Sequence, residues 1–232
     1  MQEIEEATKP TRKILPLIIY VIETSGSARI AAVNQAMAET IEVLKDVSAK
    51  NQIAELKIGV LQFASGARWV TDGLESIGDF HWNDLTLSGA ADLGAALDEL
   101  NINLSMSAIS NSEVGYKVPV LIFMMDGSPT DDYMSALKKI SDNNGYFKIS
   151  TKICIAIDED SDVEVLQEIA GCGDKAKGRE SVIQVTDMET LKKLLKFTNF
   201  ITPRTDEESK IEIDNTTEQY PLPPLPTEDD WR

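Results

Sequence analysis

The chain has 232 residues, of which 42% are hydrophobic and 26% charged, enough for one well-cored domain and a tail. Its net charge of −17 leaves no excess of Lys and Arg to neutralise phosphates. That excludes nucleic acid as a partner and disfavours anionic membrane surfaces.

Residues 1–13, MQEIEEATKPTRK, read as an extension that is acidic before it is basic, with no small-residue cleavage site after it. The expected location is therefore cytoplasmic. The apolar run ILPLIIYVI, 14–22, is too short to span a bilayer. Pro16 suits the start of a buried strand. Next comes a helix whose Ile30, Val33, Met37, Ile41, Leu44 and Val47 form a stripe at steps of three and four. Strands are expected over 55–63 and 66–71, and a helix over 91–104. A strand over 118–125 contains PVLIFMM. The helix after it takes Thr130 as N-cap, with Asp131 and Asp132 in its first turn and Lys138 and Lys139 near its end. Strand 151–157 contains KICIAI; a helix then starts near Ser161 and stops at Gly171 as its C′ glycine. A strand over 181–185 and a helix through METLKKLLKF close the series.

Continuously apolar strands alternating with helices predict an α/β fold. The expected sheet is doubly wound, mostly parallel and six-stranded, with helices on both faces and 66–71 antiparallel at one edge. Val118 to Met125 and Pro16 to Ile22 should be neighbouring inner strands. The domain should span 14–199 and be followed by an acidic, proline-rich tail, 200–232. From Pro203 onward nine acidic and three basic residues give −6, and PLPPLP favours polyproline II. Tyr220, Leu222, Leu225 and Trp231 mark this tail as a linear docking element, with a solvated tail or one packed on its own domain as the alternatives.

Little conventional catalytic chemistry is present. Cys154 and Cys172 lack metal-type spacing and read as reduced thiols, Cys172 as a small turn residue between two glycines. The sole histidine, His81, lies in a polar loop with no nucleophile elbow nearby in the sequence. TSGSARI opens a helix but lacks the lysine of a phosphate-binding loop.

Two loops at the carboxyl ends of strands carry the remaining chemistry, because ligands gather there in open α/β sheets. ETSGS supplies Glu23, Ser25 and Ser27; MDGSP supplies Asp126. Hard oxygen atoms from separate loops are what Mg²⁺ requires. The same residues also serve as a helix N-cap with a tight turn, and as an Asp-capped turn.

ETSGS, VNQAMAETIEVLK, LKIGVLQF, SGAADLGAALDEL and LIFMMDGSPTD together resemble the von Willebrand factor A domain over residues 14 to 199, and within it the tellurium-resistance TerY group. The resemblance implies a metal-ion-dependent adhesion site with ligands at Glu23, Ser25, Ser27 and Asp126. Two positions depart from the pattern: Glu23 stands for the leading aspartate, and Ala91 for the middle-loop threonine. A glutamate adds about 1.5 Å of reach, and alanine removes a hydroxyl ligand. Water, Asp92 or Thr86 are the substitutes for it. The expected site is degenerate, with Mg²⁺ binding weak or absent. The resemblance further implies a non-enzymatic adaptor in a stress-response or defence assembly. Its partners would be a Ser/Thr kinase and a metal-dependent, PP2C-type protein phosphatase. The competing expectation is a metal-dependent hydrolase or nucleotide-binding enzyme on the same loop face; turnover with Mg²⁺ or Mn²⁺, compared with Ser25→Ala, discriminates the two.

Overall fold

Leu17–Glu23 (β2) is buried at every position, as a continuous apolar run requires of a strand covered on both faces. The computed structural model describes residues 14–26, 29–50, 56–104, 115–116 and 118–198. Ser27 and the 203–232 segment, with Tyr220, Leu222, Leu225 and Trp231, lie outside the described residues.

The short strand Ile14–Leu15 (β1) pairs in parallel with Gly115–Tyr116 (β6), apart from the main sheet. That sheet contains β2, Lys57–Ala64 (β3), Gly66–Trp69 (β4), Val120–Met125 (β7), Thr151–Ile157 (β8) and Val182–Val185 (β9), in the order β4-β3-β2-β7-β8-β9. Every pairing from β3 to β9 is parallel, and β4 runs antiparallel at the edge. The six-stranded path is the expected one. A seventh strand, Glu75–Ser76 (β5), extends the same edge of β3, also antiparallel. The chain between β4 and β5 leaves the ladder. There the Val60 N–H donates to the Thr71 hydroxyl instead of a backbone carbonyl, and Gly73 takes a positive φ of 71°. This is why the edge strand stops at Trp69 and not at the expected residue 71.

Side chains alternate across the sheet and build two cores. Ile18, Tyr20 and Ile22 join the helices Ile30–Lys50 (α1) and Met188–Thr198 (α7). Leu17, Ile19 and Val21 join the opposite layer: Leu93–Asn103 (α2), Tyr133–Asn143 (α3), Gly145–Ile149 (α4) and Val163–Ala170 (α5). One more short helix, Lys175–Gly178 (α6), follows α5. α4 and α6, each under two turns, have no apolar period long enough to announce them in the sequence.

Two expected caps are displaced. The N-cap of α3 is Asp132, which accepts the Ser135 N–H, and not Thr130. Asp131 turns away and caps α2 from outside, accepting the N–H groups of Gly94 and Ala95 at 3.0 and 3.1 Å. Gly171 is the C-cap of α5 at φ −88°, and the left-handed residue is Cys172, at φ 54°. Glycine is required at 171 for a different reason: a Cβ there would meet the Asp174 carbonyl oxygen at 1.9 Å.

Among the described residues one cation is buried, Lys152 on β8. Lys152 is 5% exposed. Its ammonium donates to the Phe147 carbonyl at 2.5 Å and lies 4.4 Å from the Phe147 ring centroid. Burial pushes its pKa below the usual lysine value. The unfolded chain then binds more protons between the folded and unfolded lysine values, so this group's contribution to stability rises with pH across that alkaline window. Lys152→Met removes the cost of the buried charge. The Phe147 carbonyl keeps its bond from the Ser150 hydroxyl. The expected result is a gain of about 1–2 kcal/mol at neutral pH, measured by urea unfolding. The gain should shrink as pH rises toward the ordinary lysine value; a gain independent of pH would contradict a charged Lys152.

Candidate functional site

The register of β2 between its neighbours sets the site. Ile22 pairs with Met124 on β7, and Glu23 pairs with Phe63 on β3. Because both pairings are parallel, Glu23 and Asp126 leave the sheet at the same end. The structure thus brings these two predicted residues together with Ser25.

Glu23 is 6% exposed. One carboxylate oxygen accepts the Ser25 hydroxyl proton in a very short bond. The other accepts the backbone N–H groups of Asp126 and Gly127 at 3.1 and 3.3 Å. Burial pushes the Glu23 carboxyl up from its ordinary value, and the nearby Asp126 charge adds to the rise; the Ser25 and backbone bonds oppose it. The longer side chain has a visible use here. It spans from the end of β2 to the first turn after β7, a reach that aspartate lacks by one methylene. Gly127 completes the fit, since a Cβ there would lie 3.3 Å from the Glu23 carboxylate.

The middle loop arrives differently from expectation. Asn34 on α1 is buried and grips Leu85 from both sides, its amide donating to the Leu85 carbonyl at 2.9 Å and its oxygen accepting the Leu85 N–H at 2.8 Å. The Ser88 N–H donates to the Thr24 carbonyl at 2.9 Å. These ties carry Leu87, 43% exposed, to the rim of a surface depression that it shares with Glu23, Ser25, Ile30 and Asp126. Ala91 does not line it. Ala91 is 3% exposed, and its backbone exchanges two hydrogen bonds with Thr130, one to the Thr130 hydroxyl and one from the Thr130 N–H. Asp92 is also engaged, its two oxygens accepting the Gly66 N–H at 2.7 Å and the Thr130 hydroxyl at 3.2 Å. Sequence reasoning missed Leu87 and Asn34. The one available signal was an asparagine set into the apolar stripe of α1.

The far rim is the loop after β8. Asp158 has a positive φ of 79°, costly for a residue with a Cβ. It is held there by its N–H to the Val185 carbonyl, by Gln184 donating to its own carbonyl, and by an ion pair with Arg29. Ser161 bridges the Met125 and Ile157 carbonyls, and Ser128 donates to Asp162.

A cation shell needs oxygen lone pairs directed at a common point. As placed, Glu23 faces three hydrogen-bond donors, the Ser25 proton points at Glu23, and the middle loop contributes a leucine. These described residues do not fit a Mg²⁺ shell. Among the described residues no group of three or more His, Cys, Asp or Glu side chains is placed to hold a metal, and no helix is long and apolar enough to cross a membrane.

Comparison with known proteins adds the family. No curated protein matches the sequence. Among solved structures, a von Willebrand factor type A protein from Catenulispora acidiphila is 19% identical with a TM-score of 0.57, over 80% of this chain and 42% of that one. Proximal thread matrix protein 1 from the mussel byssus is 20% identical at TM-score 0.56, over 81% of this chain and 47% of that one. A further structure of that mussel protein carries zinc in its metal-ion-dependent adhesion site. The ArnB paralog VWA2 from Sulfolobus acidocaldarius is 15% identical at TM-score 0.54, over 80% and 45%. The chain thus spans less than half the length of each of these relatives, and the likeness is one of fold. The family model for the von Willebrand factor type A domain matches residues 18–197, which takes in nearly all of the main sheet and of the described helices, and the chain belongs to that family.

Proposed function

We propose that this domain is a protein-interaction module of TerY type whose adhesion site is degenerate and works without a metal. It would act as a cytoplasmic, non-enzymatic adaptor joining a Ser/Thr kinase and a PP2C-type phosphatase in a stress-response or defence assembly. The Glu23 bridge carries this reading. In a metal-dependent site an ion draws the first loop and the loop after β7 together; here Glu23 joins the same two loops by hydrogen bonds. The mussel relative holds zinc at its adhesion site, and the departures at Glu23 and Ala91 support reading the present donor set as altered.

The test is co-purification of a tagged full chain from its native host, with EDTA or with Mg²⁺ throughout. The expected result is recovery of both enzymes, equal in the two conditions. Recovery only with Mg²⁺ would refute the metal-independent reading, and recovery of neither enzyme would refute the assembly. The tail offers a second check. Deleting residues 203–232 should leave the thermal midpoint almost unchanged, because an acidic, proline-rich segment contributes little to a core. Capture should weaken. A large loss of stability would show instead that the tail completes the domain.

A further inference from the structure

Two unfavourable choices stand at the opposite end of the sheet from Glu23. The first is Lys152, near the start of β8 and 5% exposed. Among the described residues no carboxylate faces its ammonium. A buried charge without a counter-charge is strongly destabilising. The second is Cys172, in the turn after α5, with a left-handed φ of 54°. Glycine adopts that conformation without strain, and glycine occupies both adjoining positions. A turn by itself has no use for a thiol there.

The two residues meet. An ammonium carries three donors. Those of Lys152 reach the carbonyls of Phe147 and Ser150, at 2.5 and 3.4 Å, and the Cys172 thiol. The two carbonyls close the end of α4, an ordinary duty for a cation at a helix C-terminus. That duty does not account for the sulfur. Cys172 packs against the layer that contains Phe147 and Cys154. Its turn is fixed, since its own N–H donates to the Ile169 carbonyl at 3.2 Å and the Gly173 N–H to the Glu168 carbonyl at 2.7 Å. The two cysteines differ in access. Cys154 is fully buried, and burial pushes its thiol up to about 12; Cys172 is only half-buried.

We propose that Cys172 is a peroxide-reactive thiol, a reversible oxidation site, with Lys152 as the fixed cation beside the reacting sulfur. A cation next to a cysteine favours the thiolate, which is the attacking form. The sulfur attacks one oxygen of hydrogen peroxide. An S–O bond forms and the O–O bond breaks. Sulfur is oxidised by two electrons, and the other peroxide oxygen leaves as hydroxide. That hydroxide takes the proton given up by the thiol and becomes water. The product is a sulfenic acid, whose new oxygen can accept the Lys152 N–H and which added thiol reduces back. The stability expected from Lys152→Met is then what the wild type forgoes to keep a cation at this sulfur. Because β7 and β8 are parallel, the start of β8 lies away from the Asp126 loop. The site is therefore independent of the adaptor reading.

The test treats the full chain with hydrogen peroxide, traps sulfenic acid with dimedone and locates the adduct by peptide mass analysis. The expected adduct is on Cys172 and not on Cys154, and it disappears when dithiothreitol precedes the trap. Cys172 should react about 10-fold faster in the folded chain than in the urea-unfolded one. Lys152→Met should remove that advantage while unfolding at a higher urea concentration than the wild type, so that a loosened fold cannot explain the loss. A second measurement needs no variant. The rate of Cys172 alkylation by anionic iodoacetate, relative to neutral iodoacetamide, should be higher in the folded wild type than in urea, because a fixed cation attracts the anion and access alone does not distinguish the two. Oxidation of Cys154 first, or no adduct on Cys172, overturns the proposal. So does a Lys152→Met rate equal to that of the wild type, or an alkylation ratio unchanged by unfolding.

Discussion

Mg²⁺ should raise the melting midpoint of the double variant Glu23→Asp, Ala91→Thr by about 5–10 °C and leave the wild type where it is. The figure follows from linkage: an ion present at about 100 times its dissociation constant adds roughly 2.7 kcal/mol to the folded state. In the wild type the Glu23 carboxylate is engaged by Ser25 and by the N–H groups of Asp126 and Gly127. Shortening it by one methylene withdraws it from those amides and returns a carboxylate to the mouth of the first loop. Without metal that withdrawal costs about 1–3 kcal/mol, since it leaves donors without their acceptor. Each variant must therefore be compared with its own chelated baseline. Threonine at 91 adds a hydroxyl to the middle loop, which must turn toward the depression that Ala91 does not line for the ion to use it; the two changes should then couple, because together they complete one coordination shell. Neither single variant should respond. A Mg²⁺-dependent rise in the wild type would make Glu23 a working ligand. No rise in the double variant would mean that residue 91, held against Thr130 and away from the depression, cannot deliver its hydroxyl.

Phe123→Ala should lower stability by about 3–5 kcal/mol, the range for emptying a fully buried aromatic site. Phe123 is 0% exposed on β7, paired with Val21 on one side and Cys154 on the other. Strands hydrogen-bonded on both sides cannot shift to fill the space. The midpoint should fall by about 6–20 °C, measured by calorimetry, with the urea midpoint falling in step. A loss under about 1 kcal/mol would mean that the layer beneath α2 and α3 repacks freely. That would contradict the close packing that complete burial of Phe123 implies.

The sheet was readable because its strands are unbroken apolar runs. The strand 151–157 agrees with β8 at both ends, and the 66–71 edge strand was misjudged only where a threonine hydroxyl replaces a ladder carbonyl. The meeting of Glu23 and Asp126 was also readable, since parallel neighbours put their following loops at one end. What those residues do there was not. The bonds of Glu23 to Asp126 and Gly127 join positions more than 100 apart in the chain, and those of Asn34 to Leu85 join positions 51 apart. No local pattern encodes such pairs. The displaced cap on α3 has the same cause: Asp131 was spent on another helix, across 36 and 37 residues. Sequence spacing alone could not assign that duty. The role of Leu87 was hidden because a lone leucine in a polar loop carries no periodicity.

The central place of β2 has a consequence for how the chain is made. Its partners are β3, which begins at Lys57, and β7, which begins at Val120. At synthesis rates of about 5–20 residues per second, the β7 side of β2 waits on the order of 5–20 s for its neighbour to be built. Throughout that interval ILPLIIYVI, an uncharged and strongly β-forming stretch, has one open edge toward any other nascent copy. Closing it also requires a loop of roughly 100 residues, which makes the step slow as well as late. Recovery of native protein on expression should therefore depend more on holding this strand apart than on the thermodynamic stability of the finished domain. A charge introduced at Ile14 or Leu15, outside the main sheet, would protect the waiting strand.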